Sequence, residues 1–147
     1  MKTTAFVGAL IAAATLTAGA AAAQTGVPYG APITLESAKA VGAAAHAEAV
    51  KRKVSGTFAI VDVLGEMVVV DRGMNAANAG VEIALAKARS AVKYRKAGLP
   101  LSEFPAGAEG LTGGSALLVS GGQIVGAIGV TGGANDQVVS AAVAALK

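Results

Sequence analysis

From Thr34 onward the apolar positions recur first at helical and then at strand spacing. On a wheel of 100° per residue, Leu35, Ala38, Gly42, Ala45 and Ala49 form one stripe, and Glu36, Lys39, Glu48, Lys51 and Arg52 lie mostly away from it. The spacing predicts an amphipathic helix with Thr34 as its cap, running to about Lys53. Its contact residues are small, so a neighbouring element can approach closely. Two β-rich runs, Thr57–Val63 and Met67–Asp71, then flank Leu64-Gly65-Glu66 and predict a hairpin. A loop over Gly73–Gly80 leads to a second helix, Val81 to about Ala97, closed by Gly98 and Pro100, with Val81, Leu85, Ala88 and Val92 as its buried stripe. Ser115–Ser120 and Gln123–Thr131 around Gly121-Gly122 predict a second hairpin with a two-residue turn. Asn135 then caps a final helix with Val139, Val143 and Leu146 on one side. Hairpins dominate over strand–helix–strand units, which favours an α+β domain in which helices flank an antiparallel sheet.

Two segments precede this domain, residues 34–147. Met1-Lys2, the apolar run Ala5–Ala18 and the small residues Ala21-Ala22-Ala23 have the form of a secretory signal peptide over residues 1–23. The apolar run is shorter than the roughly 20 residues of a spanning helix, and no segment of the mature chain can cross a membrane. The expected location is the periplasm or the exterior. Residues 24–33 hold Gly26, Pro28, Gly30 and Pro32 and read as an extended arm.

Composition narrows the chemistry. The 147 residues contain no Cys, no Trp and one His, with twelve Lys+Arg against nine Asp+Glu. A disulfide framework, a thiolate nucleophile and an iron–sulfur cluster are excluded, and a single His cannot build a common zinc site. There is no dinucleotide-binding fingerprint and no phosphate loop, because the glycines of Gly126-Ala127-Ile128-Gly129 fall inside a predicted strand. No serine stands in a nucleophile elbow, and His46 has no obvious partner in sequence, which argues against a hydrolase. The weak positive charge and the few mature aromatics, Tyr29, Phe58, Tyr94 and Phe104, argue against a nucleic-acid groove.

A few residues remain as candidates. His46 is the only strong neutral nitrogen ligand and lies within about 60° of the small-residue stripe, so it is either a packed histidine bonded to a backbone carbonyl or a ligand to a metal. Tyr94 projects opposite the apolar stripe of the second helix and implies another contact surface, for self-association or for a pocket shared between subunits. Lys87, Arg89, Lys93, Arg95 and Lys96 make that helix cationic, either as a solvated face that suits the helix dipole or as an anion site. The dense glycines between Gly107 and Gly133 indicate either close backbone approach or repeated positive φ.

Four segments carry a resemblance: TLESAKAVGAAAHAEA, AIVDVLGEMVVVDR, IALAKARSAVKY and GGSALLVSGGQIVGAIGVTGG. In this order they resemble the GlcG/HbpS-like haem-degrading family over nearly all of Thr34–Lys147. The chain departs from the family pattern at Gly133–Gln137, where an acidic pair often precedes the last helix. The resemblance implies a profilin-like α+β fold, assembly into homo-oligomers, haem binding with slow haem degradation in some members, and partnership with a membrane sensor in some exported members. A haem asks for a flat apolar surface, an axial donor and cations for its propionates. His46 or Tyr94 can donate, with His46 the first choice as metal ligand, and Lys87, Arg89 and Lys93 are the candidate charge partners. With so few aromatics, the expected haem site is a subunit interface or a shallow groove. The expectation is an exported haem-binding protein with slow haem-degrading activity; the alternative is a non-catalytic oligomeric module serving a sensor or an organic-acid oxidation system.

Overall fold

A computed structural model describes residues 26–97 and 113–147. The expected signal peptide and the irregular stretch from Leu99 to Gly110 lie outside the described residues. The chain runs α1 (Leu35–Lys51), β1 (Thr57–Asp62), β2 (Met67–Arg72), α2 (Gly80–Tyr94), β3 (Ser115–Ser120), β4 (Gln123–Thr131) and α3 (Asn135–Ala144). The four strands form one antiparallel sheet in the order β2-β1-β4-β3, so each hairpin contributes one central and one edge strand. This is the expected α+β arrangement.

Side-chain alternation divides the core between the two faces of the sheet. Phe58 and Ile60 of β1 and Ile128 and Val130 of β4 pack with Ala38, Val41 and Ala45 of α1 and with Val138, Val139 and Ala142 of α3. On the other face Val61 and Ala127 meet Ala88, Ala91 and Val92 of α2. The second face is built for close approach. A Cβ placed on Gly129 of β4 would stand 2.0 Å from the Ala84 carbonyl oxygen and 2.7 Å from the Ala88 nitrogen.

That contact corrects the expected stripe of α2. The face against the sheet is Gly80, Ala84, Lys87, Ala88, Ala91 and Val92, while Val81 and Leu85 are only half-buried. Backbone so near backbone admits alanine and the methylene stem of a lysine, and it moves the larger aliphatic residues to the flanks. Lys87 is therefore no solvated surface cation: it is 5% exposed, and its Nζ donates to the Val130 carbonyl at 3.0 Å.

The ends of the helices differ from expectation in detail. Thr34 caps α1 as expected, its Oγ1 accepting from the Ser37 N–H at 3.2 Å, but Leu35 is 52% exposed and Val41 takes the buried position. Helix α1 stops at Lys51 because Lys53 adopts φ 56°, and the Lys53 and Val54 N–H groups turn back to the Val50 and Ala49 carbonyls. Helix α2 stops three residues before Ala97 in the same way, with Arg95 at φ 52° and the Arg95 and Lys96 N–H groups bonded to the Val92 and Ala91 carbonyls. A cation in the left-handed conformation ends it, and the predicted closure at Gly98 and Pro100 lies outside the described residues. At α3 the cap position is Ala134, and Asn135 instead accepts from the Gly133 N–H through Oδ1. The buried residues of α3 are Val138, Val139 and Ala142, with Val143 exposed and Leu146 packed at the edge of the core.

The arm is tied to the start of β4. Gly30 N–H donates to the Ile124 carbonyl, Ile124 N–H to the Pro28 carbonyl and Ile33 N–H to the Val125 carbonyl, each at 2.8 Å. Tyr29 reaches across to α2, its hydroxyl donating to the Val92 carbonyl at 2.6 Å beneath the Arg95 guanidinium, 4.1 Å from the ring centroid.

Candidate functional site

Hairpin register and helix approach together assemble the site. In the β1–β2 ladder Asp71 stands opposite Phe58. Helix α1 crosses this pair at Gly42, where an added Cβ would lie 3.2 Å from Phe58 Cε2, so the helix sits low over the strands. One turn further on, His46 reaches the edge strand, and its Nδ1 lies 2.9 Å from Asp71 Oδ2. The side chains remain 57% and 38% exposed, respectively. His46 thus has a carboxylate partner, in place of the backbone carbonyl weighed from sequence. Among the described residues nothing hydrogen-bonds to its Nε2.

Two concavities meet at this pair and share His46, Phe58 and Asp71. The first, a cavity of about 270 Å³, runs from His46 past Val50, Val54 and Val138, with Lys53 and the exposed Met74 among its lining residues. The loop bearing Met74 is held by Ser55, whose hydroxyl donates to the Met74 carbonyl. The second is a more open depression between α1 and β2, bounded by Gly42, Ala47, Val69 and Val70 with Lys39 at its edge. The result is a groove with apolar walls, one imidazole at its centre and a lysine in each half. Among the described residues, neither Lys39 nor Lys53 forms an ion pair with Asp71.

The other predicted site residues all belong to α2, across the sheet. Arg89 donates from Nε to the Gly65 carbonyl at 2.9 Å and lines a separate concavity with Lys93, Tyr29 and Leu64. Tyr94 is 38% exposed, with Lys93 Nζ 5.5 Å from its ring centroid. Lys87 is buried under α2, and burial pushes its ammonium below the ordinary lysine range while Asp136 partly offsets the effect. Among the described residues of one chain, Lys87, Arg89, Lys93 and Tyr94 therefore do not share a concavity with His46. Asp71, Lys39, Lys53 and Met74 were not singled out from sequence. Strand alternation alone puts Asp71 on the same face as Val69, and the fold then brings the helix that carries His46 over that face. On the outer side of α1, Glu48 pairs with Lys51 and Arg52, and the Arg52 guanidinium chiefly holds its carboxyl below the ordinary range.

Among the described residues no group of three His, Cys, Asp or Glu side chains could hold a bare metal ion. One imidazole in an apolar groove instead suits a metal that brings most of its own ligands.

A family model described as "Haem degrading protein HbpS-like" matches residues 33–147. The chain belongs to this HbpS-like family. Solved structures agree on the fold. HbpS is 27% identical with a TM-score of 0.70, the match covering 80% of this chain and 92% of that one. A protein named ORFY from Klebsiella pneumoniae is 23% identical with a TM-score of 0.69, over 80% and 92% of the two chains. PduOC, solved as a haem complex, is 24% identical with a TM-score of 0.69, over 79% and 96%. No curated protein matches the sequence. Among the described residues no helix is long and apolar enough to cross a membrane.

Proposed function

We propose that this HbpS-like protein binds haem in the groove between α1 and β2, where His46 would hold the iron through Nε2. The observation that carries the reading is the imidazole itself, held at Nδ1 by Asp71 and, among the described residues, without a partner at Nε2. The groove fits the group in kind: Val50, Val54, Phe58 and Val69 offer apolar surface, and Lys39 and Lys53 offer charge for propionates. Its 270 Å³ half is slightly smaller than an ordinary ligand pocket, so a group the size of haem would need the adjoining depression between α1 and β2 as well. Family membership supports haem as the ligand.

The fuller reading is an exported haem-binding protein with slow haem-degrading activity. Haem iron, with an external reductant and oxygen or peroxide, supplies the oxidative chemistry. This chain's residues would hold the group, His46 at its iron and Lys39 and Lys53 at its propionates. The signal-peptide pattern of residues 1–23 supports export. A second reading, a homo-oligomeric accessory module for a sensor or an organic-acid oxidation system, draws on β2, an edge strand of the sheet among the described residues, where Met67 and Val70 are exposed beside Leu64 of the preceding turn.

Haemin titration followed by absorbance tests the first reading. A saturable Soret shift that His46→Ala abolishes is the expected result. A shift unchanged in that variant removes His46 as ligand, and no shift beyond that of an unrelated protein removes haem. Bleaching of the bound haem on adding ascorbate is the sign of degradation.

A further inference from the structure

Asp71 does more than occupy a rim. An ionised carboxylate only accepts hydrogen bonds, so at 2.9 Å from Nδ1 it requires the imidazole proton on that nitrogen. A neutral ring protonated at Nδ1 carries its lone pair on Nε2, the nitrogen without a partner among the described residues. Free histidine in water prefers the opposite tautomer, which would point a proton, not a lone pair, at any metal on Nε2. The carboxylate is available for this task because nearby cations do not take it: among the described residues Lys39 and Lys53 form no ion pair with it, and Arg72 on the same strand bonds the Ala76 carbonyl. Its position is fixed by the β1–β2 ladder, opposite Phe58, independently of the rotamer of His46.

We infer that Asp71 is a positioning residue that locks His46 as the Nδ1–H tautomer and aims the Nε2 lone pair into the groove. The imidazole is thereby preset as a donor before any ligand arrives, and the carboxylate strengthens it as a base once a metal is bound. The significance for haem rests on the proposed function above. The tautomer itself does not, and that separates the two in experiment.

His46 is the only histidine in the chain, so the nitrogen resonances of an imidazole-labelled protein without added histidines report it alone. Recorded without haem at about pH 8.5, where imidazoles are neutral, the wild-type ring is expected as the Nδ1–H form. Asp71→Ala is expected to invert the ratio towards Nε2–H. Asp71→Asn is nearly isosteric, keeps an acceptor and loses the charge, so an intermediate ratio is expected and the test survives if the alanine variant folds poorly. In haemin titrations both variants should bind more weakly, Asp71→Ala by about tenfold, the low end for loss of a hydrogen-bonding partner to a ligating His. The midpoint potential of their bound haem should rise. An Nδ1–H ring in Asp71→Ala, or a wild-type ring protonated at Nε2, overturns the inference. If the tautomer inverts but wild type shows no Soret shift, the inference stands and the haem reading fails. If His46→Ala abolishes haem binding while both Asp71 variants match wild type in tautomer, affinity and potential, the haem reading stands and the inference fails.

Discussion

Replacing Gly129 by alanine should cost this domain a large share of its stability, although the change adds a single methyl group. The new Cβ would stand 2.0 Å from the Ala84 carbonyl oxygen, 2.7 Å from the Ala88 nitrogen and 3.0 Å from Lys87 Cβ, whereas ordinary contact begins at 3.4 Å. Two of the three neighbours are helix backbone and cannot rotate away. The strand cannot retreat either, because β4 is paired on both sides, with β1 and β3. Helix α2 must therefore lift, loosening Ala88, Ala91 and Val92 from Val61 and Ala127. Overpacking typically costs about 1–3 kcal/mol, and because the lifted helix also packs less tightly on the sheet, the expected value is at the top of that range, about 3 kcal/mol. In a domain of somewhat over 100 residues each kcal/mol lowers Tm by roughly 4 °C, so a drop of roughly 12 °C is expected in a circular-dichroism melt. Gly122→Ala is the control: its φ is 75° and nothing lies within 4 Å, so only left-handed backbone strain of about 1–2 kcal/mol applies. A Gly129→Ala protein that loses less than the Gly122→Ala control would refute the packing argument.

Two further outcomes follow from polar side chains bonded to backbone carbonyls. Because burial lowers the folded-state pKa of Lys87 below its ordinary 10.5, the unfolded chain binds more protons between those values, and stability attributable to Lys87 rises with pH across that window. Urea denaturation of wild type and Lys87→Met should show the wild type gaining relative to the variant as pH climbs towards 10.5; a constant difference would contradict it. Tyr29→Phe removes the 2.6 Å bond to the Val92 carbonyl and should cost about 1 kcal/mol. Faster amide exchange at Gly30 and Ile124, which tie the arm to β4, would show where the loss falls.

The parts of the fold legible in sequence were those governed by local pattern. Strand alternation and the Gly121-Gly122 pair, both at positive φ, marked the hairpins, and Thr34 marked the start of α1. The inner face of α2 was not legible, since hydropathy ranks Val81 and Leu85 above Ala84 and Lys87, while the deciding constraint is the clearance over Gly129, some forty residues away. The site divides in the same way. His46 stood out by being unique, but Asp71 acquires meaning only when β2 and α1 are brought together, 25 positions apart. The cations Lys87, Arg89 and Lys93 drew attention by clustering in sequence, whereas in space a sheet separates them from His46 and the lysines of the groove are Lys39 and Lys53.

The pairing of β1 with β4 also bears on how the chain reaches its native state. Each hairpin closes over a short turn, yet the centre of the sheet joins Thr57 to Thr131 and Asp62 to Gly126. Local hairpins form in microseconds, and a seam between distant segments must wait for a costly loop closure. Folding should thus be limited by the meeting of two preformed halves, and until they meet the inner edges of β1 and β4 are open to strands of other chains. Among the described residues the native sheet keeps only β2 and β3 as edges, so completing the seam removes the two most buried strands from reach.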